Sequence, residues 1–300
     1  MPAPAVARVG IVAKRGLTAA AEQLEQLGVW LHRHKIEAIY ERETATLTGY
    51  AASQPQASRD DMPGLVDLVV VLGGDGTLLG MATRIAQAGR DIPILGVNFG
   101  SLGFLTETRI DELFPALESV LAGTAAFDRR AMLAADTFRG AECFDSRIVL
   151  NDVVFTKAAM SRIIELTISV SDHLVTKVRA DGLIVATATG STAYNLAAGG
   201  PIVHPRVDAL VLTPIAPHTL TNRPIVIPAS ELIQISPTVV DPLDEIFVTY
   251  DGQSGYPLHA GDIVRIRRSE RTLQLVKAPA RNYFDLLREK LKWGERGGRQ

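Results

Sequence analysis

The apolar run Leu68-Val69-Val70-Val71-Leu72 empties directly into Gly73-Gly74-Asp75-Gly76-Thr77, and no other stretch restricts the possible folds as strongly. Three β-branched residues flanked by leucines predict a strand buried on both faces. The glycines predict a tight turn, and Thr77 with Leu78 and Leu79 the opening of a helix. Glycine leaves the backbone bare enough for a phosphoryl oxygen to reach its N–H groups, and a helix N-terminus adds partial positive charge. Gly73, Gly74, Gly76 and Thr77 are therefore candidate phosphate-binding positions. Asp75 runs against that field. A carboxylate there repels phosphate unless it holds a cation or receives a proton from an attacking hydroxyl, so it points to phosphoryl transfer. The plain alternative is a strand-to-helix turn in which Asp75 caps the helix.

Other glycine-rich motifs do not fit. Counting from Gly74 and Gly76, Leu79 stands where a dinucleotide fingerprint needs its third glycine, and no lysine follows a glycine as a Walker A loop requires.

Strands and helices alternate around the turn. Val6 to Ala13 reads as a strand, Leu17 to Lys35 as a helix carrying Leu24, Leu27 and Leu31 on one face, and Ile36 to Tyr40 as a second strand. Thr44 to Pro63 has no sustained period and reads as a loop with some helical content. A helix to about Ala88, a strand over Ile92 to Val97 and a loop from Asn98 to Thr106 follow. This order predicts a Rossmann-like α/β domain with a mostly parallel sheet, whose ligands lie beyond the carboxyl ends of the strands.

From about residue 126 the period becomes two. Ile164, Leu166, Ile168 and Val170 alternate with polar residues, as do Val264 and Ile266 with Arg265 and Arg267. Residues 126–277 are read as an all-β, sandwich-like domain with one helix near Ser191 to Ala198. Residues 1–125 with 278–300 are read as the α/β domain. A C-terminal helix through Phe284, Leu287 and Leu291 returns to that first domain, and Gly294 to Gln300 is expected to fray.

Composition narrows the function classes. With 31 basic against 33 acidic side chains the net charge is -2, which supplies no field for nucleic acid or an anionic membrane. The single cysteine, Cys143, forms no internal disulfide, and Met1-Pro2-Ala3-Pro4 lacks the basic and apolar regions of a signal peptide. A cytoplasmic protein acting on small molecules is expected. The six histidines show no ligand spacing, so no metal held by protein side chains alone is expected. Ser191 lacks the Gly-x-Ser-x-Gly elbow of a hydrolase.

Asn151-Asp152 interrupts an apolar run, Ile148-Val149-Leu150 before it and Val153-Val154-Phe155 after it. Such a pair must find partners or face a site. Its donors and acceptors suit the vicinal hydroxyls of a ribose, and a strand-end Asx turn is the alternative. Between Arg179 and Tyr194 an apolar strand ends in small hydroxyl residues and Gly190 before a helix start. That arrangement presents N–H groups to a ligand, or else uses Ser191 or Thr192 as an N-cap. Tyr194 offers a face for stacking on a base, and Asp251-Gly252-Gln253 is a turn.

Taken in order, the Gly73–Thr77 turn, Asn151-Asp152, Asp181 to Tyr194, Gly199-Gly200-Pro201-Ile202, Pro217 to Pro224 and Asp251-Gly252-Gln253 resemble the NAD kinase family over nearly the whole chain. The turn alone is shared with lipid kinases and phosphofructokinases. The resemblance implies phosphorylation of the adenosine-ribose 2′-hydroxyl of NAD by ATP with a divalent cation, Mg²⁺, and Asp75 as proton acceptor. It implies that Gly76 holds the dinucleotide, that Asn151 and Asp152 bind ribose hydroxyls, and that Arg179 and Asp181 contact the nucleotide. Thr192, Ala193, Tyr194, Asn195, Leu196 and Ala197 would line its ends, with Ala216 and Gln253 closing the pocket. It also implies a homodimer or homotetramer whose sites often cross a subunit interface. Two departures stand out. Gly80 occupies a place where some relatives carry a basic residue, leaving Arg84 as a candidate cation for the triphosphate, and Asp152 stands in place of glutamate.

Overall fold

The computed structural model describes residues 6–100, 102–157, 163–219, 221–238, 245–278 and 281–293. The chain divides into two compact units, one ending at Arg129 and resuming at Leu273, the other spanning Arg130–Thr272.

In the first unit β1 (Arg8–Ala13), β2 (Glu37–Glu41), β3 (Gln56–Ala57), β4 (Leu68–Leu72), β5 (Ile94–Asn98) and β6 (Thr108–Arg109) are all parallel. Their order is β3-β2-β1-β4-β5, with β6 beside β5. All residues of β4 and β5 are buried, as an uninterrupted apolar run requires when helices cover both faces. On one face α1 (Ala21–Arg33) packs Leu24, Leu27 and Leu31, and α3 (Leu113–Leu121) packs Leu113 and Leu117, against Ile11, Val70 and Leu95. On the other, α2 (Asp75–Gln87) brings Leu78 so close to Gly96 that an added Cβ would lie 2.7 Å from its Cδ1. Only glycine fits there. The chain leaves β1 to form β2 on one side and returns to form β4 on the other. The carboxyl ends of β1 and β4 therefore flank a topological switch point, where open α/β sheets bind ligands.

The segment from Thr44 to Pro63 holds the expected helical content as short turns, and adds the short strand β3. The C-terminal helix, α4 (Tyr283–Leu291), packs within this unit, and Arg281 beside it pairs with Glu112 at 2.9 Å. Its buried residues are Leu286 and Leu287, while Phe284 is 59% exposed, so the apolar stripe is rotated from the expected one. The segment expected to fray, Gly294 to Gln300, lies outside the described residues, as does Leu220 of the Pro217–Pro224 motif.

The second unit contains most of β7 (Phe127–Arg139), then β8 (Glu142–Val149), β9 (Asp152–Lys157), β10 (Ile164–Val170), β11 (His173–Ala180), β12 (Gly182–Thr187), β13 (Ala209–Ile215), β14 (Ile225–Pro228), β15 (Ile233–Thr238), β16 (Ile246–Tyr250), β17 (Ser254–Leu258) and most of β18 (Asp262–Val276). One antiparallel sheet runs β14-β13-β12-β9-β16-β17. The second runs β11-β10-β15-β18 and continues through β7 to β8. Their facing residues, among them Phe155, Leu183, Val185, Leu166, Ile235 and Val264, form one core. This is a sandwich. β12 is buried along its whole length because the segment after it covers its other face, where Ile184 and Ala186 pack with Ala188 and Val203.

Candidate active site

Asp75 is not a helix cap. Gly74 holds the N-cap position without a side-chain bond, and Asp75 is the first residue of α2. Its carboxylate turns to the loop after β5. Oδ2 accepts the Phe104 N–H at 2.8 Å, and Oδ1 accepts the N–H groups of Leu105 and Thr106 at 3.2 and 3.1 Å and the Thr106 hydroxyl at 2.9 Å. Four donors and the N-terminal end of the helix dipole offset the carboxylate charge in a half-buried place. Gly103 makes the approach possible, because a Cβ there would fall 1.9 Å from Asp75 Oδ1.

The turn itself needs glycine. Gly73 has φ 154°, a region essentially closed to other residues, and its N–H donates to Val97 O at 2.8 Å. Gly76 is exposed and Thr77 half-buried at the start of α2. Lys14, the first residue past β1, lies alongside, since a Cβ on Gly73 would stand 2.9 Å from its Cβ. Lys14 is exposed, with no acidic partner among the described residues. Arg84, by contrast, is held by Asp60 at 2.6 Å and by the Gly80 carbonyl at 2.7 Å. Lys14, not Arg84, is the cation seen against the turn.

In the second unit the chain bends at Leu150–Asn151 between β8 and β9. Asp251, in the left-handed region at φ 51°, accepts the N–H groups of Leu150 at 2.9 Å, Asn151 at 2.7 Å and Asp152 at 3.1 Å. A turn residue a hundred positions away thus shapes the bend, and Gln253 follows it on the exposed side. Thr187 ties the end of β12 to the same place: its hydroxyl donates to Leu150 O at 2.7 Å and accepts from Gly190 N–H at 2.9 Å. Gly190 presses on the bend so closely that a Cβ would lie 2.1 Å from Asn151 O.

Asp152 is 5% exposed, and its carboxyl takes no hydrogen bond from the described residues. Burial, and next the Asp251 carboxylate, push its pKa up to about 7. At neutral pH it retains a proton for part of the time, so it can both donate to and accept from a hydroxyl.

The small-residue segment resolves into two kinds of position. Ser191 is buried and tethered to Ala188 O at 2.6 Å and to Val203 N at 2.9 Å, which makes it neither cap nor nucleophile. Asn195, expected as a ligand contact, turns its side chain inward. Fully buried, its amide donates to Ser191 O and Pro201 O and accepts the Thr213 hydroxyl at 2.6 Å. Its side chain locks the helical turn Tyr194–Ala197 in place. Thr192, Ala193 and Leu196 are half-buried, Ala197 is exposed, and Tyr194 is 45% exposed.

Arg179, Asp181 and Ala216 do not join this group. β12 pairs Ala186 with Asp152 at one end and Gly182 with Thr156 and Ile215 at the other. The span from Gly182 to Thr187 is five steps, about 16 Å. Arg179, Asp181, which pairs with Lys157 at 2.7 Å, and Ala216, at φ 43°, cluster at that far end.

Sequence reasoning missed Gly103, Thr106 and Lys14. Their partners lie 28 to 59 residues away, and only the glycine in Leu102-Gly103-Phe104 marked the first of these contacts. Among the described residues no three His, Cys, Asp or Glu side chains gather as a metal cage, and no helix is long and apolar enough to cross a membrane.

A parallel sheet carrying a glycine turn and a fixed carboxylate at its switch point, with a β-rich unit bearing a polar bend, fits a kinase of the nucleotide-binding class. Residues 9–125 match the ATP-NAD kinase N-terminal domain and residues 150–278 the ATP-NAD kinase C-terminal domain. The NAD kinase of Geotalea daltonii is 48% identical over 272 residues, 91% of this chain and 93% of that one. The NAD kinase of Solibacter usitatus is 43% identical over 98% of this chain and all of its own. Among solved structures, yeast NADH kinase complexed with NADH superposes with a TM-score of 0.87 at 25% identity, covering 97% of this chain and 89% of that one. An NAD kinase from Archaeoglobus fulgidus in complex with ATP gives 0.74 at 25% identity, over 94% and 99%. The chain belongs to the NAD kinase family, the enzymes that phosphorylate NAD to NADP at the expense of ATP.

Proposed function

We propose that Asp75 is the group through which this chain phosphorylates the adenosine-ribose 2′-hydroxyl of NAD. The observation that carries this reading is the carboxylate fixed by four donors beside a glycine turn. A carboxylate is a weak base toward an alcohol, so Asp75 orients the hydroxyl and takes its proton late, as the O–P bond forms. The N–H group of Gly74 donates to a phosphate oxygen, and Lys14 supplies the positive charge.

Mg²⁺ keeps several waters and binds through phosphates and one or two carboxylates, so the cation would arrive bound to ATP. When bound, it neutralises charge on the triphosphate.

In the second unit Asn151 and Asp152 bind ribose hydroxyls, the half-protonated Asp152 serving as both donor and acceptor. Tyr194 stacks on a ring of the dinucleotide, and Thr192, Ala193, Leu196, Ala197 and Gln253 line the pocket around it. Asn195 acts from behind, by holding that turn. Arg179, Asp181 and Ala216 serve a ligand held by a second copy of the chain, a reading supported by their separation from Asp152 along β12. The protein then works as a homodimer or homotetramer. Exposed apolar residues on the sheet-edge strands, Leu174 and Val175 on β11 and Ile225 and Val226 on β14, support this. The exposed free thiol of Cys143 suits a reducing cytoplasm.

The test is a coupled assay for NADP with Mg²⁺ and radiolabelled ATP, with NAD, diacylglycerol and sphingosine offered separately. Label is expected in NADP alone. Label in a lipid, or binding of NAD with no NADP formed, would count against the reading.

A further inference from the structure

The two oxygens of Asp75 are not equivalent. Oδ1 takes three donors and Oδ2 one. A carboxylate oxygen has about two in-plane lone-pair positions, so Oδ1 is saturated and Oδ2 keeps an open one. A short chain of hydrogen bonds maintains the difference. The Gly100 N–H donates to Asn98 Oδ1 at 2.6 Å, which fixes the orientation of that amide, since an N–H needs the oxygen and not the NH₂. Asn98 Nδ2 then donates to Thr106 Oγ1 at 3.1 Å. Having accepted there, the Thr106 hydroxyl directs its own hydrogen to Asp75 Oδ1. Asn98 and Thr106 are buried, at 9% and 0% exposure, so water does not compete for these groups. Gly96 and Gly103 leave room for the loop, since a Cβ on Gly96 would lie 3.2 Å from Thr106 Cα.

We propose that Asn98 and Thr106 form a positioning relay that adds a third donor to the doubly bonded Oδ1 of Asp75, fixes the rotation of the carboxylate and leaves Oδ2 as the atom that meets the ribose hydroxyl. This rests on the reading of Asp75 as proton acceptor and specifies how it works. The 2′-oxygen forms a bond to the γ-phosphorus, and the bond from that phosphorus to the β–γ bridging oxygen breaks. ADP leaves with the electron pair, and the hydroxyl proton goes to Oδ2 and then to solvent. Without the relay the carboxylate keeps only its three backbone donors, its orientation is held less tightly, and the geometry for attack is met in fewer encounters.

Steady-state kinetics of Thr106→Val, Thr106→Ser and Asp75→Asn, alone and combined, test the proposal. Thr106→Val preserves shape and removes the hydroxyl. It is expected to lower kcat by about 10- to 100-fold with KM for NAD little changed, and Thr106→Ser is expected to restore most of the loss. In an Asp75→Asn background Thr106→Val is expected to add nothing, because the relay acts only through that carboxylate. Unchanged or raised kcat in Thr106→Val overturns the relay, a rise meaning that the loop sequesters Asp75. Equal losses with and without the carboxylate overturn it too. If Asp75→Asn alone keeps parental kcat, the reading of Asp75 itself has failed, and that outcome is separate from the others.

Discussion

Replacing Asp152 by asparagine should stabilise the ligand-free protein at alkaline pH and leave its acid stability unchanged. Burial, helped by the Asp251 carboxylate, raises the Asp152 pKa from the ordinary 3.8 to about 7. Below about pH 4 folded and unfolded chains both hold the proton, and the residue costs nothing. Between about pH 4 and 7 the unfolded chain releases it while the folded one keeps it, so stability falls as pH rises. Above about pH 7 both are ionised and the whole penalty stands. At about 1.4 kcal/mol for each tenfold change in proton affinity, the full penalty is about 4 kcal/mol. Asparagine cannot ionise, so the variant lacks this slope. With a urea m-value of about 2 kcal/mol/M, its midpoint should exceed the parent's by up to about 2 M at pH 8 and match it near pH 4. Urea unfolding followed by far-UV circular dichroism is the right probe, because both tryptophans, Trp30 and Trp293, lie in the other unit. Stability curves for parent and variant that run parallel from pH 4 to 8 would refute the reasoning.

Two further variants probe the framework around the ligands. Lys14→Ala should raise KM for ATP about tenfold, equivalent to about 1.4 kcal/mol, with NAD affinity unchanged in equilibrium dialysis. A KM for ATP equal to the parent's would remove Lys14 from the phosphate site. Asp251→Ala strips the acceptor from the N–H groups of Leu150, Asn151 and Asp152. At about 1 kcal/mol or more for each stranded donor, the β-rich unit should lose about 3 kcal/mol in urea unfolding, and Asp251→Asn, which keeps one oxygen, should lose less.

What could be read from the sequence was local. The strand before Gly73 and the helix behind it follow from residues in contact along the chain, and the period of two in Ile164 to Val170 gave away the sandwich. Asp75, Asn151 and Asp152 drew attention because each is polar where its neighbours demand otherwise. The supports were hidden because they come from afar. The N–H groups that hold Asp75 lie about thirty residues on, and the carboxylate that bends Asn151 lies a hundred residues on. Asp251 looked like an ordinary turn residue because nothing near it in sequence reveals what its side chain reaches. Asn195 and Ser191 carry polar atoms suited to a ligand, and only packing shows those atoms turned inward. The separation of Arg179, Asp181 and Ala216 from Asp152 depends on register across β9, β12 and β13, which no single strand encodes. The rotation of α4 has a similar cause: the spacing of Phe284, Leu287 and Leu291 fits a helix, but the tertiary partner selects Leu286 and Leu287.

The central claim is that the Asp75 carboxylate receives the proton of the sugar hydroxyl during phosphoryl transfer. Its most direct test is the single-turnover rate of NADP formation when Asp75→Asn, loaded with NAD, is mixed with ATP and Mg²⁺. The account predicts a rate at least about 10²- to 10⁴-fold below that of the parent, with the dissociation constant for NAD within a few-fold. A rate equal to the parent's at matched occupancy would contradict it.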